Sequence, residues 1–587
     1  MAPKMLDRQF GANGHENEAS ALLGQAAHAE ASENCRRPPA SDNDDVPNVP
    51  VTSLRGIAIA VSLGFLIFLQ ATNMSGMTMI QGQIADDINS HAAASWFTAA
   101  YLIPLSSFAS LAGRLATIFS PRSLVIPVGI LFAVGSLITA RATSFAVLVI
   151  GRAIAGTGGA FVLGQCVIFV LELTTKRRRG LYIALVNSGF TMGVSFGAVV
   201  YGALLPAIGW RPIFMWQVPV SIIGGVASFF SLPMMKPGGG ALHKPGTTRL
   251  KLARIDYLGA ILLSLTIVLF LYSLAADIHL IALCVSIVCL LAFVATEYRI
   301  AADPIIPLQV LSSPGVLLSC LAQLGLMTAR WSMLFYAPIF MLAVRGAAPA
   351  SAGSILIPAN GGFAVGGFIV GALHIRRTGS FWLPTLIVVA IFSLSLFMLS
   401  LVASPDSSMA AFVAIVFLNG LMTGAALNYS LAHLLHLSHK DTEYVSSSLL
   451  GTFRGFGGSF GTSIGGGIFF RYLKESLTEG FLGLEGHGSD ENMSPEHARL
   501  VTRLLGAPGL VFSGGLSSDE QRIAVDGYSG AIRGVWHAAA LLAVAVIAVQ
   551  AATGWTAPGD YDSGECDTEE EAQAHAVLLE NEGIGEA

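Results

Sequence analysis

The sequence predicts an all-α polytopic membrane protein with about fourteen transmembrane helices. Hydrophobic residues make up 53% of the 587-residue chain and charged residues only 12%, whereas about a quarter of the residues in a soluble domain are charged. The mean hydropathy is +0.66, and many apolar runs reach the ~20 residues that cross a bilayer as a helix. The 64 glycines suit helices that pack closely in a membrane. This composition excludes a nucleic-acid-binding protein, a disordered chain and nearly every soluble enzyme.

Fourteen apolar runs are long enough to be spans. In chain order they are 55–80, 96–113, 123–140, 144–171, 181–206, 212–233, 256–275, 279–297, 316–343, 350–373, 381–402, 409–432, 444–470 and 530–553. The seventh and eighth runs are joined by a very short turn. If this pair did not cross the membrane, twelve spans would remain and the orientation would not change.

The chain divides by composition into five segments. Polar residues dominate 1–50, and 556–587 is strongly acidic, so both are expected to be disordered cytosolic tails. Between them we expect an N-terminal six-helix half at 51–235, an inserted helix pair at 236–300, and a C-terminal six-helix half at 301–555. A long loop at 471–529 lies within the last of these.

The distribution of Lys and Arg predicts the orientation. If the N-terminus is cytosolic, twenty of the 32 basic residues lie in cytosolic segments and nine on the opposite side, with three inside spans. Positive residues concentrate on the cytosolic side, so both termini are expected there and 471–529 is expected outside. This loop carries the sequon Asn492-Met493-Ser494, which makes Asn492 a glycosylation candidate.

Glycines repeat at four-residue spacing in two runs. Such spacing keeps glycines on one helix face, so that a neighbouring backbone can approach closely. Spans five and thirteen then correspond, as in a transporter built from two repeated halves. The predicted helix-packing glycines are Gly189, Gly193 and Gly197 in the fifth run and Gly457, Gly461 and Gly465 in the thirteenth.

Four motifs in this order resemble the major facilitator superfamily, and most closely its fungal fourteen-span drug:proton antiporters. They are Ser95-Trp96 with Tyr101, Gly151-Arg152 through Gly159, Trp210-Arg211 with Phe214 and Pro219, and Arg454 through Gly461. The resemblance covers about 55–553. It implies the major-facilitator fold and proton-coupled export of drugs, toxins or secondary metabolites, without a cofactor or enzymatic activity.

The sequence departs from the family where coupling residues are expected. Asn73 stands where the family has an aspartate in the first span, and Thr117 and Ser120 replace the acid and the glycine of the loop after the second. The fifth-span motif reads Gly197-Ala198-Val199-Val200-Tyr201-Gly202 in place of Gly-Pro and Gly-Gly.

Charged residues inside spans are the first functional candidates, because they are costly in lipid and must face a partner or a wet cavity. The family implies a role in proton transfer for Arg152. Because arginine stays protonated, it would act by influencing a neighbouring group or by positioning a water molecule. The alternative is that Arg152 is a structural charge. Glu172 is the titratable candidate for coupling, or else an interfacial acid paired with Lys176. Arg330 is expected to meet an anionic substrate group, the ring of Trp331 or a structural partner.

Uncharged polar residues in spans are the second group. They line a cavity or join helices by hydrogen bonds, and the selected candidates are Gln70, Asn73, Asn187 and Asn419. His433, His436 and His439 are interpreted as an interfacial cluster, and no metal site is expected.

The sequence therefore predicts a secondary active transporter that exports small, largely apolar organic compounds. Expected partners are the substrate, protons and membrane lipids, with no nucleic acid, and the protein is expected to be a monomer in the plasma membrane or, alternatively, the vacuolar membrane. A vacuolar amino-acid or siderophore carrier is the alternative within this class. A non-transporting membrane sensor and a membrane-embedded enzyme are the alternatives outside it.

Overall fold

The protein is described by a computed structural model. It describes residues 53–119, 121–173, 179–233, 256–274, 278–300, 313–374, 380–438, 443–485 and 493–554. Across these ranges the regular structure is helical and contains no strand. Each of the fourteen predicted runs overlaps one or more helices.

Seven helices form an N-terminal bundle. They are α1 (Ser53–Ser75), α2 (Met77–Asp87), α3 (Ala94–Ile118), α4 (Pro121–Ala140), α5 (Phe145–Leu173), α6 (Arg179–Ile208) and α7 (Trp210–Ser231). The first predicted span is two helices rather than one, with a break at Gly76. A side chain at Gly76 would overlap the ring of Tyr201, whose Cε1 lies 2.7 Å from the position of a Cβ. Only glycine lets α1 and α6 approach so closely here.

A helix pair follows, and then a C-terminal bundle. The pair is α8 (Tyr257–Ser273) and α9 (Leu280–Arg299). The bundle contains α10 (Pro314–Ala343), α11 (Pro349–Gly353), α12 (Leu356–Phe368), α13 (Trp382–Val402), α14 (Met409–Leu437), α15 (Glu443–Leu484), α16 (Pro495–Gly506) and α17 (Ser518–Ala551). The pair lies at the periphery, where α8 contacts α3 and α15.

Eleven helical segments among the described residues are long and apolar enough to cross a membrane, when 349–371, which contains α11 and α12, is counted as one. Two shorter apolar helices accompany them. Large apolar side chains remain exposed on the outer surfaces of these helices, as expected of surfaces that face lipid. Examples are Trp216, Ile223, Phe230, Ile281, Leu291 and Leu541. The count of fourteen spans remains a prediction.

Equivalent glycine contacts occur in the two bundles. A Cβ at Gly193 of α6 would lie 2.6 Å from the Cβ of Ala71 in α1, and one at Gly461 of α15 would lie 2.8 Å from the Cβ of Trp331 in α10. Gly197 likewise lies against α1, and Gly457 lies against α10. A Cβ at Gly465 would lie 3.2 Å from Cε2 of Tyr336. The fifth and thirteenth predicted spans thus pack in the same way.

Gly189 is the exception among the predicted packing glycines. Among the described residues, no atom lies within 4 Å of the position its Cβ would occupy. The side chains of 163–188, on α5 and at the start of α6, lie outside the described residues. The packing role of Gly189 therefore stays a prediction.

The predicted loop at 471–529 is largely helical. Helix α15 continues to Leu484, α17 already begins at Ser518, and α16 lies between them. Leu473, Leu477 and Phe481 share one face of α15 and are fully buried, because α15 packs against α17 beyond the apolar run. The polar composition predicted a loop, whereas this apolar stripe stabilises helix.

Candidate functional site

Two cavities lie between the N-terminal and C-terminal bundles. The bundles meet where α3 packs against α15 and where α6 packs against α11 and α12. The inner cavity is lined by Met74, Ser75, Thr78, Thr98, Leu102, Val194, Trp331, Leu334, Phe335, Leu356 and Thr462. The outer cavity is lined by Gln81, Thr98, Phe335, Tyr336, Ile339, Thr462, Phe469, Phe470, Leu505, Pro508 and Tyr528.

Three residues line both cavities and separate them. Thr98 comes from the N-terminal bundle, and Phe335 and Thr462 come from the C-terminal bundle. The Thr98 side chain is 2% exposed, and its hydroxyl has no hydrogen-bond partner among the described residues. A buried hydroxyl without a partner is costly, so this group is suited to a polar atom of a bound molecule.

The chemistry of the lining residues is uniform. Aromatic rings and aliphatic side chains supply most of it, hydroxyls and one amide supply the rest, and no lining side chain is charged. Such a wall offers stacking surfaces and a few hydrogen bonds. Each cavity has a volume of about 10 Å³ in this structure, close to what one water molecule needs, so a larger molecule requires the bundles to move apart. An uncharged, largely apolar molecule would desolvate no fixed charge on entering.

Arg152 lies beside these cavities at the centre of a polar network in the N-terminal bundle. Its Nη1 donates to Oδ1 of Asn73, and its Nε donates to the carbonyl of Phe97 at 3.0 Å. The guanidinium also lies 4.6 Å from the ring centre of Tyr101. The side chain is 1% exposed, and none of its described contacts is a carboxylate. Cation–π contact and neutral acceptors stabilise this charge in place of an ion pair.

Gln217 and Tyr201 complete the network. Asn73 donates Nδ2 to Oε1 of Gln217 at 2.6 Å, and Gln217 donates Nε2 to the hydroxyl of Tyr201 at 2.5 Å. Ser136 donates to the same Gln217 oxygen at 3.2 Å. Spans one, three, four, five and six are therefore joined by one chain of hydrogen bonds, which fixes the side chain of Asn73 that accepts from Arg152.

Arg330 is the corresponding buried cation of the C-terminal bundle. It donates to Oδ1 of Asn360 at 3.0 Å and to the hydroxyl of Thr423 at 3.2 Å. Its guanidinium lies 4.8 Å from the ring centre of Phe363. The expected contact with Trp331 is wrong, because adjacent residues on a helix point about 100° apart. Trp331 instead lines the inner cavity.

The remaining candidates are placed as follows. Gln70 is buried and donates Nε2 to the sulfur of Met74 at 3.2 Å, and Asn419 donates to the hydroxyl of Ser395 at 2.9 Å. The backbone at Glu172 and Asn187 is helical, but their side chains are not among those described. Asn492 lies outside the described residues altogether. Of the candidates with a described side chain, none lines either cavity.

Sequence reasoning missed Gln217 and the shared cavity residues. Gln217 was detectable as one of the few polar residues in an apolar run. Thr98, Phe335 and Thr462 carry no such signal, since threonine and phenylalanine are ordinary residues in membrane helices.

Comparison with known proteins decides the family. A model described as Major Facilitator Superfamily matches residues 61–462, which is more than half of the chain. The chain belongs to the major facilitator superfamily. It is therefore a multi-pass membrane transporter rather than an enzyme, as its sequence predicted.

The superfamily relatives of this chain include fungal efflux pumps. It is 26% identical over 500 residues to MFS transporter L2 of Phoma sp., covering 83% of this chain and 80% of that protein. It is 26% identical over 455 residues to the MFS-type efflux pump LUC4 of Fusarium sp., covering 74% and 78%. It is 25% identical over 468 residues to the efflux pump aflT of Aspergillus parasiticus, covering 76% and 90%.

Solved transporters share the major-facilitator fold. A bacterial homologue of the human lysosomal transporter Spinster, inward-facing and unoccupied, aligns with a TM-score of 0.57 at 14% identity, covering 86% of this chain and 98% of that one. The peptide transporter POT in complex with sulfate aligns with a TM-score of 0.54 at 14% identity, covering 85% and 96%. At this identity the likeness concerns the fold alone.

Proposed function

We propose that this transporter exports small, uncharged, largely apolar organic compounds by proton antiport. The observation that carries the proposal is the uncharged aromatic lining of the two cavities between the bundles. A cargo that presents rings to Phe335 and Trp331 and a hydroxyl or carbonyl to Thr98 satisfies this lining. The names of the fungal efflux pumps support the direction of transport.

Alternating access supplies the mechanism. The bundles meet through small residues, since a Cβ at Gly202 would lie 2.6 Å from Pro349, and one at Gly353 would lie 2.6 Å from Ala198. Such surfaces slide and separate with little side-chain interlocking, so the bundles can rock around the cavities between them. We place the protein in the plasma membrane, with both termini cytosolic.

Proton coupling is assigned to Glu172. Asn73 cannot titrate, and Arg152 retains its proton. Glu172 directly follows the apolar run 144–171 and lies on the last turn of α5, and a desolvated carboxylate there can bind and release a proton in the neutral range.

Flux in proteoliposomes tests the function and the coupling together. With an imposed pH gradient and the uncharged dye Nile red as cargo, the wild-type protein is expected to concentrate the dye. Glu172→Gln is expected to abolish uphill transport while leaving downhill exchange intact, because the cavities are unchanged. Dye movement by the wild-type protein that ignores the gradient would leave a facilitator and refute antiport. Undiminished uphill transport by Glu172→Gln would refute the assigned carboxylate.

A further inference from the structure

We propose that the segment 493–517, called here the cap segment, completes an exit site for the aromatic part of an uncharged cargo. We further propose that the cap segment separates from the N-terminal bundle when cargo leaves. The proposal rests on the export function above. It assigns a role to a region that lies outside the family's membrane-embedded core.

The cap segment contributes to the wall of the outer cavity. Leu505 and Pro508 line it together with Gln81 from α2 and Tyr336 and Phe470 from the C-terminal bundle. The outer cavity therefore has three sources of side chains, whereas the inner cavity has only the two bundles. Removing the cap segment would take away part of the apolar wall.

One end of the cap segment is anchored to α15 and α17 by polar contacts. Glu485 accepts from the backbone N–H of Ser494 at 3.2 Å and pairs with Nδ1 of His497. His497 Nε2 lies 3.4 Å from a carboxylate oxygen of Glu520. The hydrogen bonds from Ser494 and His497 lower the pKa of Glu485 to about 2. The carboxylate therefore remains ionised at any physiological pH.

The other end is anchored to the same bundle. Tyr528 of α17 donates its hydroxyl to the carbonyl of Leu504, and Gln521 donates to the carbonyl of Val511 at 3.1 Å. The ring of Phe512 packs against Gly346, between α10 and α11. The cap segment is thus held at both ends by the C-terminal bundle and will move with it.

Contact with the N-terminal bundle is of a different kind. Ala507 lies against Gly82 of α2, and Gly506 lies against the backbone of His91. Among the described residues no hydrogen bond or ion pair joins these two surfaces. A contact made of glycine, alanine and backbone can open without breaking a polar bond.

These contacts place the separating surface between the cap segment and α2. When the bundles part on this side, the cap segment leaves Gly82 and His91 and opens the outer cavity. The cargo class follows from the ring faces around it, which are those of Tyr336, Phe469 and Phe470, and from the amide of Gln81.

A crosslink tests the movement. In Gly82→Cys/Ala507→Cys the two Cβ atoms are 3.2 Å apart, a few tenths of an ångström short of the usual disulfide range. Oxidation is expected to abolish Nile red export from intact cells, and a reductant is expected to restore it. The matched control is Gly480→Cys/Ile523→Cys, which joins α15 to α17 with Cβ atoms 3.5 Å apart and should export equally well in both redox states.

Binding to the purified protein tests the site separately. Leu505→Trp places a larger side chain in the wall of the outer cavity and is expected to weaken Nile red binding at least tenfold. Arg499→Trp, at an exposed position of the same helix, should bind as the wild type does. Equal binding by Leu505→Trp overturns the exit site, and equal export by the oxidised Gly82–Ala507 pair overturns the movement. A wild-type protein that binds the dye without exporting it refutes the proposed export function while leaving the site in place.

Discussion

At the scale of single residues, the buried guanidinium of Arg152 donates to the neutral side chain of Asn73. A buried cation with neutral partners is a poor arrangement in a membrane, and here the aromatic ring of Tyr101 and the carbonyl of Phe97 compensate. Sequence reasoning selected both Arg152 and Asn73 as candidates. Only the structure shows that they bind each other, and that Asn73 is oriented by Gln217.

Two different substitutions of Asn73 should therefore change the stability of the protein in opposite directions. Asn73→Ala removes the acceptor of Arg152 and is expected to destabilise the protein by about 1–3 kcal/mol. Asn73→Asp supplies a counter-charge and should raise the melting temperature, since the amide of Gln217 can turn its Nε2 towards the new carboxylate. Thermal unfolding in detergent at neutral pH measures both.

The matched control is Asn73→Asp in an Arg152→Gln background. Without the cation the new carboxylate is an unpaired buried charge, so the substitution should then destabilise the protein. A melting temperature lowered by Asn73→Asp in the wild-type background would contradict the interpretation.

At the scale of helices, the glycine-bearing faces of α6 and α15 determine how each bundle packs. Spacing in the sequence predicted that these faces meet a neighbour, and the contacts of Gly193 with Ala71 and of Gly461 with Trp331 agree. For Gly189 no described atom lies within 4 Å of the Cβ position, so its packing role stays a prediction.

Gly193→Leu and Gly461→Leu should each abolish transport. The new side chain would collide with the backbone carbonyl of Phe68, 2.9 Å from the Cβ position at Gly193, or with the backbone N of Ser332, 3.1 Å from that at Gly461. Such overpacking costs about 1–3 kcal/mol or more. Gly189→Leu is the internal control, because no described atom lies within 4 Å of its Cβ position. Flux per folded molecule, with melting temperature, measures all three; normal flux in Gly193→Leu and Gly461→Leu would show that these faces do not constrain transport.

At the scale of the whole molecule, the orientation in the membrane remains a prediction from Lys and Arg. The structure shows where a tag can be inserted to test this orientation. The stretch 471–485 is mostly packed helix, so a tag there would disturb α15, whereas Ser489 lies between the end of α15 and the start of α16. A tag inserted after Ser489 should label on intact cells, and one at 570 only after permeabilisation.

Labelling at 570 on intact cells would contradict the predicted orientation and place the cap segment on the cytosolic side. The exit site would then be an entry site. The untagged protein gives the background signal for the measurement.

The sequence by itself determined the fold class, the positions of the apolar helices, the family and the identity of the buried cations. These follow from hydropathy, length and residue type, which are properties of short stretches of chain. The tertiary structure decided which polar groups meet, which residues line the cavities and that the cap segment is helical and lies against α2. Those properties depend on how each helix is rotated and where distant helices converge, so Thr98, Phe335 and Thr462 line the same two cavities although 364 residues separate the first from the last.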